Sequence, residues 1–241
     1  MHNEQQKTAG VIGGMGPEAT VDFMSRVLAL TPAKADQDHV RMIVHNNPQV
    51  PDRQVDTPEQ HTAVMAALAV MASDLEQIGA DFLVMPCNTA HGFLDEVCAT
   101  SGIPFISIID ETVTAVRLAK SDATRVGLLA TDVCLASDLY QRALGAADLT
   151  VLLPSPIGQS TIMELVFRIK AGEQGPDVVA AMHRQADELI RQGAEVVIAG
   201  CTEIPLVIIP EDLAVPYLSS TAVLAQRTVD LCTGKSPLPA T

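Results

Sequence analysis

One pattern occurs twice in this 241-residue chain and limits its folds more than any other feature. Residues 79–89 read GADFLVMPCNT and residues 193–203 read GAEVVIAGCTE. Both run Gly-Ala-acid, five residues, Cys, then polar. A strand-like segment precedes each by a similar interval: Gly10 and Cys87 are 77 positions apart, Gly127 and Cys201 are 74. Each cysteine is followed, after a short helix, by a strand carrying proline and an aromatic, IPFIS and VPYLS. Matched halves of this kind predict two lobes related by a pseudo-twofold axis.

Within each half, apolar runs alternate with helical patterns. TAGVIGG, HVRMIVHNN, ADFLVMPC and IPFISII read as strands of the first half. PEATVDFMSRVLAL, PEQHTAVMAALAVMASDLEQIG, TAHGFLDEVCATSG and DETVTAVRLAK read as its helices, with prolines at helix starts. PQVPDRQVDTP, with three prolines and two aspartates, reads as a loop. The second half repeats the order with strands TRVGLLA, LTVLLPS, AEVVIAGC and VPYLSS. Its helices are CLASDLYQRALG, TIMELVFRIKAG, PDVVAAMHRQADELIRQG and TAVLAQRTVDLCTG. The predicted class is α/β, each lobe a mostly parallel sheet flanked by helices. The first lobe is expected to span 1–117 plus 211–241, with the last helix returning to it, and the second 118–210.

The apolar 48% of the chain is mainly Ala, Val, Ile and Leu, with no Trp and few aromatics. That suits strands buried on both faces. The net charge of −14 argues against nucleic acid or an anionic membrane surface as partner. An anionic substrate would therefore need cations supplied locally. The N-terminal MHNEQQK has no signal-like apolar stretch, and AVMAALAVMA is too short to span a bilayer, so the cytoplasm is the expected location.

Ligands of open parallel sheets bind beyond the carboxyl ends of strands. Cys87 and Cys201 both fall there, ahead of expected helix N-termini, and under the pseudo-twofold they would face one another across an interlobe cleft. A lone cysteine at a strand end is ordinarily core. Two at matched positions of a repeat, each with polar successors, point to chemistry. An unperturbed thiol is only roughly 3% ionised at neutral pH, and a helix N-terminus raises that fraction. A thiolate and a thiol on opposite faces of one carbon form a two-base pair: one removes a proton, the other delivers one, and the centre inverts. The remaining cysteines, Cys98, Cys134 and Cys232, sit in helices or at a helix start, where core packing is the default. An odd number of cysteines at irregular spacing favours free thiols. Metal binding is not expected, since Cys87 and His91 at i and i+4 lack a second ligand pair.

GVIGGMGPEAT, NNPQVPDR, PCNTAH, ELVFRIK and GCTEIPL, in that order, resemble the aspartate/glutamate racemase family, closest to its aspartate racemase branch. The resemblance covers roughly residues 8–232. It implies a cofactor-independent racemase of acidic amino acids, an isomerase, with two α/β lobes and a homodimeric assembly. Cys87 and Cys201 match the family's catalytic pair. Asn88, Thr89 and Thr202 match residues that hold the substrate α-carboxylate, a role suited to N–H groups and hydroxyls at helix starts. Met15 and Gly16 match the glycine-rich loop lining the first lobe. Arg53 and Lys170 match cations that recognise the side-chain carboxylate, as the acidic net charge requires. Against these stand a loop salt bridge for Arg53 and a solvated helix end for Lys170. Asn46 as a strand-end polar contact is as well explained by turn chemistry, His91 as an aid to a thiol by capping or packing, and Glu203 as an orienter of neighbouring groups by a helix first turn.

One stretch departs from the family. After GLLAT the family commonly has a small residue and then a substrate-contacting threonine; here ATDVCLAS places Val133 and Cys134 there. A thiol is a poorer donor than a hydroxyl, so carboxylate recognition or substrate choice is expected to differ around Thr131 and Cys134. Aspartate is the expected substrate; glutamate or broad-specificity racemisation, hydantoin racemisation, a maleate isomerase-like reaction or non-catalytic dicarboxylate binding are the alternatives.

GMGPEA satisfies a dinucleotide-binding fingerprint on paper. Glu18 at the helix start and a second strand ending in HNN oppose it, because the one repels a pyrophosphate and the other lacks the ribose-binding acid. No lysine occupies a strand-end motif that would suit pyridoxal phosphate, so no cofactor is expected.

Overall fold

The computed structural model describes residues 6–53 and 57–239; residues 54–56 of the predicted loop and the first five residues of the N-terminal segment lie outside that range. The described chain forms two compact units, residues 1–108 with 221–241, and residues 109–220.

The first unit is built on a parallel sheet in the order β2-β1-β3-β4, with β1 Ala9–Gly13, β2 Met42–Asn46, β3 Phe82–Val84 and β4 Phe105–Ile106. β1 and β3 are wholly buried, which their unbroken apolar sequence requires. Helix α1, Pro17–Leu30, starts on its proline and turns Ala19, Thr20, Phe23 and Val27 inward. Helix α2, Pro58–Gln77, is capped by Thr57, whose hydroxyl accepts from the Gln60 N–H at 3.2 Å. Its Val64, Leu68, Met71, Ala72 and Leu75 form a stripe at helical spacing that packs on Leu83, Met85 and Cys87. Residues 89–98 form a 3₁₀ turn, Thr89–Phe93, that runs into the five-residue α3, Leu94–Cys98.

The second unit repeats the topology. Its sheet runs β6-β5-β7-β8, with β5 Arg125–Leu129, β6 Thr150–Leu152, β7 Val196–Ala199 and β8 Tyr217–Ser219, again all parallel. α4 (Ile108–Ala119), α5 (Asp132–Ala136), α6 (Leu139–Ala146), α7 (Pro156–Lys170) and α8 (Pro176–Arg191) complete the α/β pattern. On α8, Val178, Met182, Ala186 and Leu189 make the buried stripe. The repeat extends to individual pairings: Gly10 lies opposite Leu83 and Gly127 opposite Val197, each four residues before a cysteine. Both glycines exist for close approach. A Cβ on Gly10 would stand 2.9 Å from the Ala80 Cβ, and one on Gly127 3.0 Å from the Leu189 Cβ.

Four details differ from the sequence reading. The expected strand IPFISII keeps only Phe105–Ile106 extended, and Ile108–Ile109 open α4. CLASDLYQRALG is two helices, broken at Asp138, which adopts φ 54°. α7 begins five residues before TIMELVF, because Ser155 caps it by accepting from the Gly158 N–H at 3.2 Å and Pro156 opens its first turn. The unit boundaries lie at 108/109 and 220/221 instead of 117/118 and 210/211, since most of α4 belongs with the second unit and β8 pairs with β7. Most of the last helix, α9 (Ser220–Cys232), belongs to the first unit, where the Cys232 carbonyl accepts from the Lys7 N–H at 3.1 Å.

Candidate active site

In the first unit, β3 ends at Val84 and the chain passes through Met85 and Pro86 to Cys87, whose N–H donates to the Met85 carbonyl at 2.8 Å. Cys87 is 5% exposed and packs in one cluster with Met15, Val50, Met85 and Ala90. Asn88 is buried and Thr89 half-buried. Met15 and Gly16 follow β1. Ahead of them, Gly14 adopts φ +97°, and a Cβ there would lie 2.3 Å from the Asn47 carbonyl carbon, so this turn needs glycine. Thr20 braces the turn: its hydroxyl accepts from the Gly14 N–H at 2.8 Å and donates to the Gly16 carbonyl at 3.2 Å. Glu18 occupies the first turn of α1, and β2 ends at the exposed Asn46, so the positions a dinucleotide would use carry the wrong chemistry.

Arg53 donates to the carbonyls of Val50 and Pro51 at 3.3 and 3.2 Å, and its Nε is buried without a partner. Among the described residues it has no carboxylate partner. Val50 belongs to the same core cluster as Cys87 and Met15, so the loop bearing Arg53 is anchored on that core.

His91 has a structural task. Its Nδ1–H donates to the Cys87 carbonyl at 2.8 Å, and its Nε2 accepts from the Ile108 N–H at 3.1 Å. These bonds fix one neutral tautomer, tie the strand-end cysteine to the start of α4, and leave neither ring nitrogen for a metal. Burial lowers its pKa to about 4, against the smaller raising effect of the bond to Cys87. Among the described residues no group of three or more metal-ligating side chains occurs.

In the second unit, Cys201 follows β7 through Gly200 and is also 5% exposed. Its thiol donates to Glu203 Oε2 at 3.0 Å, and the same oxygen accepts from the Thr202 hydroxyl at 3.4 Å. The Glu203 N–H in turn bonds to the Cys201 sulfur. Burial pushes the Cys201 thiol well up, and the adjacent Glu203 carboxylate pushes the same way, while the charge of Lys170 draws it down. Lys170 ends α7 and is exposed, as a solvated helix end would be, yet its neighbour Ile169 packs in the same cluster as Cys201.

The sequence reading placed both cysteines ahead of helix N-termini that would favour the thiolate. Cys87 instead precedes the 3₁₀ segment Thr89–Phe93, which runs into the short α3, and Cys201 the single 3₁₀ turn Ile204–Leu206, which is too short to sum an appreciable dipole. At Cys201 the desolvation and the carboxylate prevail, and the thiol form is favoured.

Thr131 caps α5, its hydroxyl accepting from the Cys134 N–H at 3.3 Å, so the departure from the family pattern sits in the first turn of that helix. Cys134 is 1% exposed. It interacts electrostatically with a residue that sequence reasoning missed, Tyr140. This tyrosine is fully buried, its hydroxyl bonds with Thr112 and Ser220, and burial raises its pKa, with Cys134 and Cys201 adding to the rise. Its ring leaves 3.0 Å for a Cβ on Gly200, so it packs directly behind the turn that carries Cys201. The one signal available was a rare aromatic in a chain holding two tyrosines.

All five cysteines are free thiols. Cys134 and Cys232 are buried, and burial raises Cys232 to about 12, as suits a core thiol. Cys98 is exposed, against the expectation of core packing, because α3 is a single short turn that buries Val97 alone.

The model of the Asp/Glu/hydantoin racemase family matches residues 12–228. The chain is 28% identical over 226 residues to the broad specificity amino-acid racemase RacX of Bacillus subtilis, covering 91% of this chain and 96% of that one. It is 28% identical to the aspartate racemase of Picrophilus torridus, with a TM-score of 0.81 over 97% and 96% of the two chains. An aspartate racemase homologue from Pyrococcus horikoshii OT3 superposes with a TM-score of 0.78 at 25% identity, over 94% and 99%. The chain belongs to the Asp/Glu/hydantoin racemase family, whose two-sheet α/β architecture it shares, and is an amino-acid racemase of that family.

Proposed function

We propose that this chain racemises aspartate without a cofactor, using Cys87 and Cys201 as its two acid–base groups. The observation that carries the reading is the repetition itself: in each of two identically ordered parallel sheets the third strand is followed within three residues by a buried free thiol and then polar residues. Inversion of an α-carbon needs a base for one enantiomer and the same group as acid for the other, so duplicated thiols fit the reaction's symmetry. Asn88, Thr89 and Thr202 would hold the α-carboxylate. Arg53 and Lys170 would meet the side-chain carboxylate, which a protein of net charge −14 must otherwise repel. The 28% identity to an aspartate racemase over almost the whole chain supports the choice of aspartate.

A second reading has one specific observation behind it. The RacX relative is named for broad specificity, and Cys134 here replaces the usual hydroxyl, so looser substrate choice is the alternative. We further propose a homodimer, which the resemblance to the family suggests and sedimentation equilibrium tests.

Each enantiomer of aspartate, incubated with the protein in D₂O without added cofactor, should racemise and gain deuterium at the α-carbon. Cys87→Ala and Cys201→Ala should each abolish racemisation. Full activity in either variant would refute the two-thiol mechanism. Exchange with several neutral amino acids at rates equal to aspartate would establish the broad-specificity reading instead.

A further inference from the structure

In the first unit, the chain between α1 and β2 and the end of α9 line a cavity of about 870 Å³. It lies at the end of the sheet where β1 and β2 start, at Ala9 and Met42, whereas Met15 and Cys87 follow the far ends of β1 and β3. Five strand residues at about 3.3 Å each separate the two ends, so a ligand held here does not reach the thiol. Pockets for small organic molecules measure roughly 300–1,000 Å³, and this cavity falls in that range.

The lining gathers positive charge in a chain of net charge −14. Lys34, His39 and Arg41 line it, together with Asp36 and Asp38. Asp38 is committed to the fold: its Oδ2 accepts from the Lys34 and Ala35 N–H groups at 2.8 and 3.1 Å. The two cations are not so committed. Among the described residues neither Lys34 nor Arg41 has a carboxylate partner, and the Arg41 guanidinium reaches only the Thr8 hydroxyl, at 3.5 Å. By contrast, Lys7, Arg26, Lys120, Arg168, Arg191 and Lys235 each meet an aspartate or glutamate. His39 keeps its Nδ1 buried without a hydrogen-bond partner. Native folds leave few such atoms unmet, and a bound ion or the water it holds is one usual reason.

We propose that this cavity binds a small molecule bearing a phosphoryl group, with Lys34 and Arg41 meeting the phosphoryl oxygens and the remaining space taking the organic part. A guanidinium fork and an ammonium together suit the three terminal oxygens of a phosphomonoester, which offers one oxygen more than a carboxylate. Its charge, close to two at neutral pH, answers both cations and outweighs Asp36, the one lining carboxylate that the backbone does not use. An oxygen of the ligand, or a water it holds, supplies the partner that His39 Nδ1 lacks. The site belongs to the first unit alone and is independent of the amino acid that the enzyme turns over.

The test is calorimetric titration of the full chain with phenyl phosphate at fixed ionic strength in chloride buffer, with inorganic phosphate and succinate as comparisons. The wild type should bind one phenyl phosphate per chain, and inorganic phosphate more weakly, because the latter leaves the organic space unfilled. Lys34→Gln combined with Arg41→Gln should weaken phenyl phosphate about 10²-fold, roughly tenfold for each charged donor lost. Aspartate racemisation should be unchanged in that variant, since both side chains lie away from the catalytic end. Arg41→Lys keeps the charge without the fork and should lose less affinity than Arg41→Gln. Lys34 and Arg41 are exposed, so these variants should fold as the wild type does. Lys170→Gln alters the proposed carboxylate site of the second unit and should leave phenyl phosphate binding as it was. The absence of saturable binding to the wild type overturns the proposal. So does an affinity that survives in the double variant or falls in Lys170→Gln instead. Succinate that binds as tightly as phenyl phosphate, and is lost in the same double variant, overturns the phosphoryl assignment.

Discussion

His91 should make the stability of the protein fall on mild acidification. Its imidazole is buried, with Nδ1–H bonded to the Cys87 carbonyl and Nε2 to the Ile108 N–H. Protonation would put a second hydrogen where Ile108 already points its own, on a buried ring. The folded state therefore holds the ring neutral to about pH 4, while the unfolded chain binds the proton near 6.5. The contribution is whole above the unfolded value and is lost as pH falls toward the folded one, since there the unfolded state binds more protons. Between about pH 8 and about pH 4.5 the separation of those two values is worth about 2.5 kcal/mol. Urea unfolding followed by far-UV circular dichroism, suited to a chain without Trp, gives the free energy at each pH. Other groups titrate over the same range, so the comparison is with His91→Gln, whose amide offers a donor and an acceptor but no titration. The wild type should lose about 2 to 3 kcal/mol more than the variant across the interval. Equal losses in both would refute the locked neutral tautomer and, with it, the role of His91 in fixing the strand end that carries Cys87.

Two further substitutions probe the site's supports. Gly14→Ala should destabilise by at least about 2 kcal/mol in the same urea assay, because φ +97° strains any side chain and the new Cβ overlaps the Asn47 backbone; a neutral result would refute the turn geometry. Lys170→Gln should raise the apparent pKa of Cys201 in alkylation and raise KM for aspartate; an unchanged KM would leave Lys170 as a solvated helix end.

The sequence by itself determined the architecture, and the physical reason is local. Unbroken apolar runs between capped amphipathic helices admit parallel strands and little else, and Gly10 and Gly127 mark where the helices press on the sheets. The duplicated Gly-Ala-acid pattern likewise located Cys87 and Cys201 at equivalent strand ends, because spacing along a repeat survives in one dimension. What it misjudged followed from local competition: Asp138 in the left-handed region split one helix, and Ser155 with Pro156 started another early.

Only the tertiary structure decided the protonation of the site. A pKa is set by what surrounds a group in space, and the sequence shows only what surrounds it along the chain. Glu203 beside Thr202 reads in one dimension as an acid that orients its neighbours or simply fills a first turn; folded, it is buried with its carboxylate 3.0 Å from the Cys201 sulfur and adds to the burial that pushes the thiol up. His91 reads in one dimension as a capping or packing residue as readily as an aid to a thiol; folded, it is a neutral brace, because Ile108, 17 residues on, turns its N–H toward the ring. Tyr140 had no motif to announce it, and packing brought it behind Gly200. The repeat in the sequence is symmetric in its cysteines, and the fold makes their surroundings unequal.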